Sequence, residues 1–191
     1  VTAEVALTNR TALVTGATGG IGSVICNRLL ADGLLVRAID VVGSPDFAVD
    51  LAADPIPPDA VADADICVCV AGVVDTFAPA HSMSSEKWSR DIDINLTGSF
   101  HAIQACLPGM RERRFGRVVA IASTRGRTGS PGMIATPKVL TLAEHDQDRI
   151  REAIPTRRFG EPGEVASLVA FPRQRERRIH YGTRHRHCRR T

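Results

Sequence analysis

The sequence predicts an α/β fold, a doubly wound parallel sheet, and three observations carry that expectation. Ala12-Leu13-Val14 is a short apolar run, read as a buried strand, that enters a glycine-rich turn from Thr15 to Gly22. The turn opens a helix over Ile21–Leu30, where Ile21, Ile25, Leu29 and Leu30 recur at helical spacing. Further strand-like runs stand at Leu35–Ile39, Asp65–Val70 and Arg117–Ala122, with helical or loop segments between them. Strands separated by crossovers of this kind pair in parallel.

The composition sets the bounds. At 191 residues and 43% hydrophobic side chains, the chain suffices for one domain with a sizeable core. No apolar run is long enough to span a bilayer and no signal peptide is recognisable, so no membrane partner is expected. Five cysteines without paired spacing point to a reducing cytoplasm rather than to a disulfide framework. Cys67 and Cys69 alternate with Val68 and Val70 and are read as small core residues rather than as a metal or redox pair. The net charge of +3 hides a division. Residues 173–191 hold eight of the 24 basic residues and only Glu176 among the acids, leaving 16 basic and 20 acidic residues in 1–172. A mildly acidic body over 1–172 and a basic, disordered tail over 173–191 are therefore expected.

The glycine turn carries the first chemical signal. Gly16, Gly20 and Gly22, preceded by Thr15, are spaced Gly-x-x-x-Gly-x-Gly. Between a strand and a helix, such a turn brings backbone close to a pyrophosphate, and the helix N-terminus stabilises its charge. The second signal is Asp40, at the end of Leu35–Ile39 and about twenty residues past the turn. An acid there accepts both hydroxyls of an adenosine ribose and repels a 2′-phosphate. No Arg or Lys stands beside Gly20, and Val41 follows Asp40.

With these motifs the sequence resembles the short-chain dehydrogenase/reductase family, of the 3-oxoacyl-reductase type. The resemblance implies strand order 3-2-1-4-5 in a Rossmann-like sheet, and NAD as cofactor in preference to NADP. It implies cofactor contacts at Thr15, Gly16, Gly20, Ile21, Gly22 and Asp40. Phe47-Ala48-Val49 reads as a short edge strand, and Asp50-Leu51 after it matches the pair that touches adenine in that family. Residues 53–62 are rich in Pro and Ala and read as a loop. Ala71-Gly72 matches the end of the family's Asn-Asn-Ala-Gly, with Cys69-Val70 in place of the asparagines. A long helix is expected over Glu86–Arg113, with Trp88, Ile92, Leu96, Phe100, Ile103 and Leu107 along one stripe. Within it, D-I-D-I-N-L-T-G-S-F resembles the segment whose asparagine, here Asn95, holds a water in a proton relay. Ser123, after Arg117–Ala122, corresponds to the catalytic serine.

The resemblance breaks at the chemistry. The family reaction uses a Tyr-x-x-x-Lys pair about a dozen residues past the serine, in which the lysine lowers the tyrosine pKa. Here the one tyrosine is Tyr181, the lysines are Lys87 and Lys138, and no such pair exists. Ser130–Thr136 resembles the family's Pro-Gly-x-Ile-x-Thr segment, giving Pro131, Gly132, Ile134 and Thr136 as further cofactor contacts. It begins only a few residues after Ser123, whereas a parallel crossover takes about ten or more. An internal deletion of one helix and one strand accounts for that spacing. A polar helix over Leu142–Ile154 follows, then R-R-F-G-E-P-G-E-V-A-S-L-V-A-F over Arg157–Phe171, again family-like, with Val165, Leu168 and Val169 facing inward. After Phe171 the resemblance stops, and the abrupt turn to Arg and His reads as a shifted frame.

The resemblance implies an oxidoreductase acting on a small-molecule alcohol or ketone, impaired in this chain, and it allows a homo-oligomer. The rival is a non-catalytic dinucleotide-binding remnant or interaction protein. Eight arginines in the tail give a third reading, nucleic-acid binding, but an unselected tail explains them without a site. No metal site is expected, His185, His187 and Cys188 included.

Overall fold

A computed structural model of the chain describes residues 9–73, 80–123 and 133–170. The strands expected from sequence are realised as β1 (Thr11–Thr15), β2 (Leu35–Asp40), β3 (Phe47–Ala48), β4 (Ala64–Cys69) and β5 (Arg117–Ala120). All pairs are parallel, in the order β3-β2-β1-β4-β5. Among the described residues β5 therefore ends the sheet, which is truncated on that side.

Helices cover both faces, because β1 and β4 alternate their side chains between two apolar cores. On one face Ala12, Val14, Ile66 and Val68 meet Ile25 and Leu29 of α1 (Gly22–Ala31) and Ala166 and Val169 of the last helix, Pro162–Ala170. On the other, Leu13, Cys67 and Cys69 meet Ala60 of α2 (Pro58–Val61) and Ala102, Cys106 and Met110 of a longer helix. Cys67 and Cys69 are thus core residues. Burial and hydrogen bonding with Cys106 and Cys69 push the Cys67 thiol far up. α2 is a single turn with Pro58 at its start, within the stretch expected as a loop.

The long helix departs from expectation. It consists of α3 (Ser85–Ile92), a π-helical stretch Asp93–Gly98 and α4 (Ser99–Glu112). Most of the expected apolar stripe does not face the core: Trp88, Leu96, Phe100 and Leu107 are exposed, Ile92 is half-buried, and Ile103 packs against the core. Ile94, Gly98, Ala102, Cys106 and Met110 are buried instead. The physical reason is close approach. A Cβ on Gly98 would lie 2.7 Å from Leu51 Cβ, so the helix lies on the sheet with its small residues inward. Larger side chains are left on the flank.

After residue 133 come α5 (Pro137–Leu140), α6 (Glu144–Ala153) and α7 (Pro162–Ala170). The polar helix expected over 142–154 is α6, one to two residues shorter at its ends. In α7 Val169 is buried and Val165 half-buried, but Leu168 is 51% exposed, and Ala166 and Ala170 take the inner positions against α1. Leu30 at the end of α1 is likewise exposed. No helix among the described residues is long and apolar enough to cross a membrane.

The amino ends of the strands are closed by an ion cluster. Asp65, 5% exposed, accepts from Arg113 Nε at 3.1 Å and Arg10 Nη1 at 3.3 Å. Arg113 also donates to the carbonyls of Ala62 and Ala64, tying the end of α4 to the start of β4. Arg10 lies over the Phe115 ring. The opposite, carboxyl edge is left for a ligand, as in open parallel sheets generally.

Candidate functional site

The carboxyl edge gathers most of the residues singled out above. Thr15 ends β1, Asp40 ends β2, Ala71 and Gly72 follow β4, and Ser123 follows β5. Register pairs Thr15 with both Ile39 and Cys69, so the first three of these strand ends are adjacent.

The glycine turn is sterically closed to side chains. Gly16 sits at φ +65°, and a Cβ there would stand 2.7 Å from Ala71 Cα. A Cβ on Gly22 would run into the Gly16 carbonyl oxygen. Gly20 faces Thr136 and Pro137, whose nearest side-chain atoms lie 2.8 to 2.9 Å from where its Cβ would be. Thr136 is thus brought against the turn, and Ile134 pairs with Gly160 beside it. Pro131 and Gly132 lie outside the described residues. Thr15 Oγ1 accepts from the amides of Val70 and Ala71 at 3.2 and 3.3 Å, fastening the end of β4 to the turn. Ile21 precedes α1, whose first-turn amides have no partner within the helix.

Asp40 is bound to the same turn. Its Oδ2 accepts from the Thr18 amide at 2.9 Å and the Thr18 hydroxyl at 2.7 Å, and its Oδ1 from the Val41 amide at 2.8 Å. Partial burial works against the charge. The Thr18 hydroxyl and the Thr18, Val41 and Val42 amides outweigh it and hold the carboxyl below the usual aspartate value of 3.8. Thr18 was not among the residues picked out from sequence. Its only signal was a hydroxyl inside the glycine turn.

The remaining candidates are placed differently. Asp50 Oδ1 accepts from the Ala52 amide in its own turn. Leu51 is 7% exposed, its side chain in the core, so only its backbone is available to a ligand. Asn95, in the π-helical stretch, spends its side-chain amide on the backbone of one residue: Val73 N–H donates to Oδ1 at 2.9 Å and Nδ2 donates to Val73 O at 3.1 Å. That pair pins the chain just past Gly72, over which the Asn95 oxygen sits. π-Helical turns concentrate at functional sites. Ser123 is exposed at the edge.

The residues fit a dinucleotide. The turn excludes a Cβ, it leads directly into the N-terminus of α1, and a charged carboxylate stands at the end of β2. No group of side chains among the described residues could hold a metal ion.

Comparisons agree with this geometry. The family model for short chain dehydrogenase matches residues 58–135. The chain is 31% identical over 218 positions to an acetoacetyl-CoA reductase of Rhizobium meliloti, covering 85% of this chain and 90% of that protein. It superposes, at TM-score 0.79 and 25% identity, on a structure described as a 2-deoxy-D-gluconate 3-dehydrogenase from Agrobacterium tumefaciens with bound NADP, covering 89% of this chain and 91% of that one. It also superposes on a 3-oxoacyl-[acyl-carrier protein] reductase with bound NAD from Brucella melitensis, at TM-score 0.71 and 26% identity over 89% of this chain and 88% of that one. The chain belongs to the short-chain dehydrogenase/reductase family, oxidoreductases that bind a nicotinamide dinucleotide and act on alcohol and keto groups.

Proposed function

We propose that residues 1–172 form an NAD-binding unit that prefers NAD to NADP, and that catalysis on its alcohol/ketone substrate is impaired. The observation that carries the preference is the Asp40 carboxylate, held ionised at the end of β2 beside a turn without a cation. A 2′-phosphate would meet like charge there. Relatives are seen with either cofactor, so the reading rests on this chain's own residues.

Thr15, Gly16, Gly20, Ile21 and Gly22 would cradle the pyrophosphate, with Thr136 and Ile134 closing over the turn. Asp50 and the Leu51 backbone would meet the adenine. Ala71 and Gly72 give the backbone room for close approach, and Asn95 holds that backbone in place. Bound nicotinamide supplies hydride transfer. Ser123 would hydrogen-bond the substrate oxygen, but no Tyr-x-x-x-Lys pair is present to move the proton. Support for an internal shortening comes from length: the match to the Rhizobium protein runs over 218 positions, more than the 191 residues of this chain.

Cofactor titration tests the reading. NAD is expected to bind more tightly than NADP, and Asp40→Ala to narrow the difference. Equal affinities in a folded parent chain would overturn it. The second reading, a non-catalytic dinucleotide-binding protein, is favoured by the missing pair and is distinguished by adding secondary alcohols to the NAD complex. A reducing cytoplasmic setting suits the free thiols of Cys26, Cys67, Cys69 and Cys106.

A further inference from the structure

The hydrogen bonds around Asp40 pose a counting problem. A carboxylate offers about four lone-pair positions. The Thr18 amide and hydroxyl take two on Oδ2, and the Val41 amide takes one on Oδ1. One position, on Oδ1, is left. A ribose diol, donating two hydrogen bonds, would have to displace a donor already in place.

One donor can leave without loss. The Thr18 hydroxyl lies 2.7 Å from Asp40 Oδ2 and 3.1 Å from the carbonyl oxygen of Val42. A hydroxyl has one hydrogen and serves one acceptor at a time. Turning it to Val42 keeps its hydrogen bond and releases a lone pair on Oδ2. The two amides of Thr18 and Val41, being backbone, stay and keep the carboxylate plane fixed. Gly43 closes the far side: at φ +75° its Cβ position falls 3.1 Å from Thr18 Cβ and Cγ2. The loop after β2 is therefore folded against the Thr18 side chain, methyl and hydroxyl alike, with the hydroxyl beside these two oxygens.

We propose that Thr18 is the positioning residue of the adenosine-ribose subsite, its hydroxyl alternating between Asp40 and the Val42 carbonyl to aim the carboxylate and then free an acceptor for the diol. This rests on the NAD reading above. A Thr18→Val variant keeps size and amide but loses the hydroxyl, and Thr18→Ser keeps the hydroxyl.

The test measures NAD and NADP dissociation constants by calorimetry for the full chain and both variants, and follows the Asp40 side-chain carboxyl by carbon NMR through an acid titration. Thr18→Val is expected to weaken NAD binding several-fold, because the carboxylate is no longer aimed before the ribose arrives, and to leave NADP within about twofold of the parent. Removing a donor to the charged form also raises the Asp40 midpoint. Thr18→Ser should follow the parent in all three readouts. Thr18→Val with parental NAD affinity and an unmoved Asp40 midpoint would overturn the proposal. Equal weakening of NAD and NADP would overturn it too, since Thr18 would then merely shape the turn. The Asp40 titration separates the two failures: a raised midpoint in a chain that binds both cofactors equally supports the clamp and sinks the NAD preference. Unchanged amide-exchange protection across β1 shows that each variant is folded.

Discussion

The two ends of the carboxyl edge differ in completeness. Around β1, β2 and β4 the polar groups are interlocked: Thr15 fastens Val70 and Ala71, Thr18 and Val41 fasten Asp40, and Asn95 fastens Val73. Around β5 the sheet simply ends. Val118 is 42% exposed, and the outer edge of β5 has no strand beside it among the described residues. One end is the half that would hold a cofactor; the other is the half that would carry the proton-transferring pair. A glycine turn with its interlocked strand ends can thus be present in a chain whose sequence lacks the Tyr-x-x-x-Lys pair, because the two halves are built from different crossovers.

The largest expected effect breaks the comparison at the β5 end. Turnover with secondary alcohols should be at background, since losing the proton-transferring group costs roughly 10²–10⁴-fold or more. Robust turnover that Ser123→Ala abolishes would show that another residue replaces the tyrosine, and that the β5 end is complete after all. At the other end, Gly22→Ala should destabilise the chain by at least about 1–3 kcal/mol, read from denaturant midpoints, because the new methyl has nowhere to go. Parental stability in that variant would mean that the turn is looser than its geometry indicates.

A smaller effect is acid dependence. The folded-state pKa of Asp40 is depressed, so its contribution to stability is complete above the ordinary value of 3.8. That contribution is lost as pH falls through the lowered midpoint. Comparing acid unfolding of the parent with Asp40→Asn isolates it: the variant should lack this one contribution, and identical acid profiles would count against the Thr18–Asp40 network.

Much of the first end was legible in the sequence. Glycine spacing, the apolar run before it and an acid after the next strand are local signals, and the strand order is what the family resemblance they carry implies. What was hidden depends on partners. The stripe from Trp88 to Leu107 has helical spacing, but which face is buried is decided by how close the helix can come to the sheet, and Gly98 and Ala102 won over larger residues. Leu168 lost its place to Ala166 for the same kind of reason. The π-helical stretch has no periodicity signal, and Thr18 acquires its role only when β2 brings Asp40 alongside.

The smallest predicted shift concerns what the exposed half does in solution. Gly98 faces Leu51, and Gly109 lies toward Ala62, so that flank of α4 looks toward β3 and α2. Helical geometry then puts Phe100 and Leu107 on the opposite flank of α4, where both are exposed. Phe100 is 55% exposed. Exposed apolar side chains, together with a strand that has no outer neighbour among the described residues, favour association, both by burial and by backbone pairing. Light scattering is expected to report a mass above that of one chain, rising with concentration. Val118→Lys should lower it only in part, because a charge on the edge strand opposes pairing yet leaves the helix flank apolar; adding Phe100→Glu should lower it further. A sharp monomer with strong hydrogen-exchange protection across Val118–Ile121 would show instead that the chain covers this strand with its own residues, and the contrast between the two ends would narrow to the missing Tyr-x-x-x-Lys pair alone.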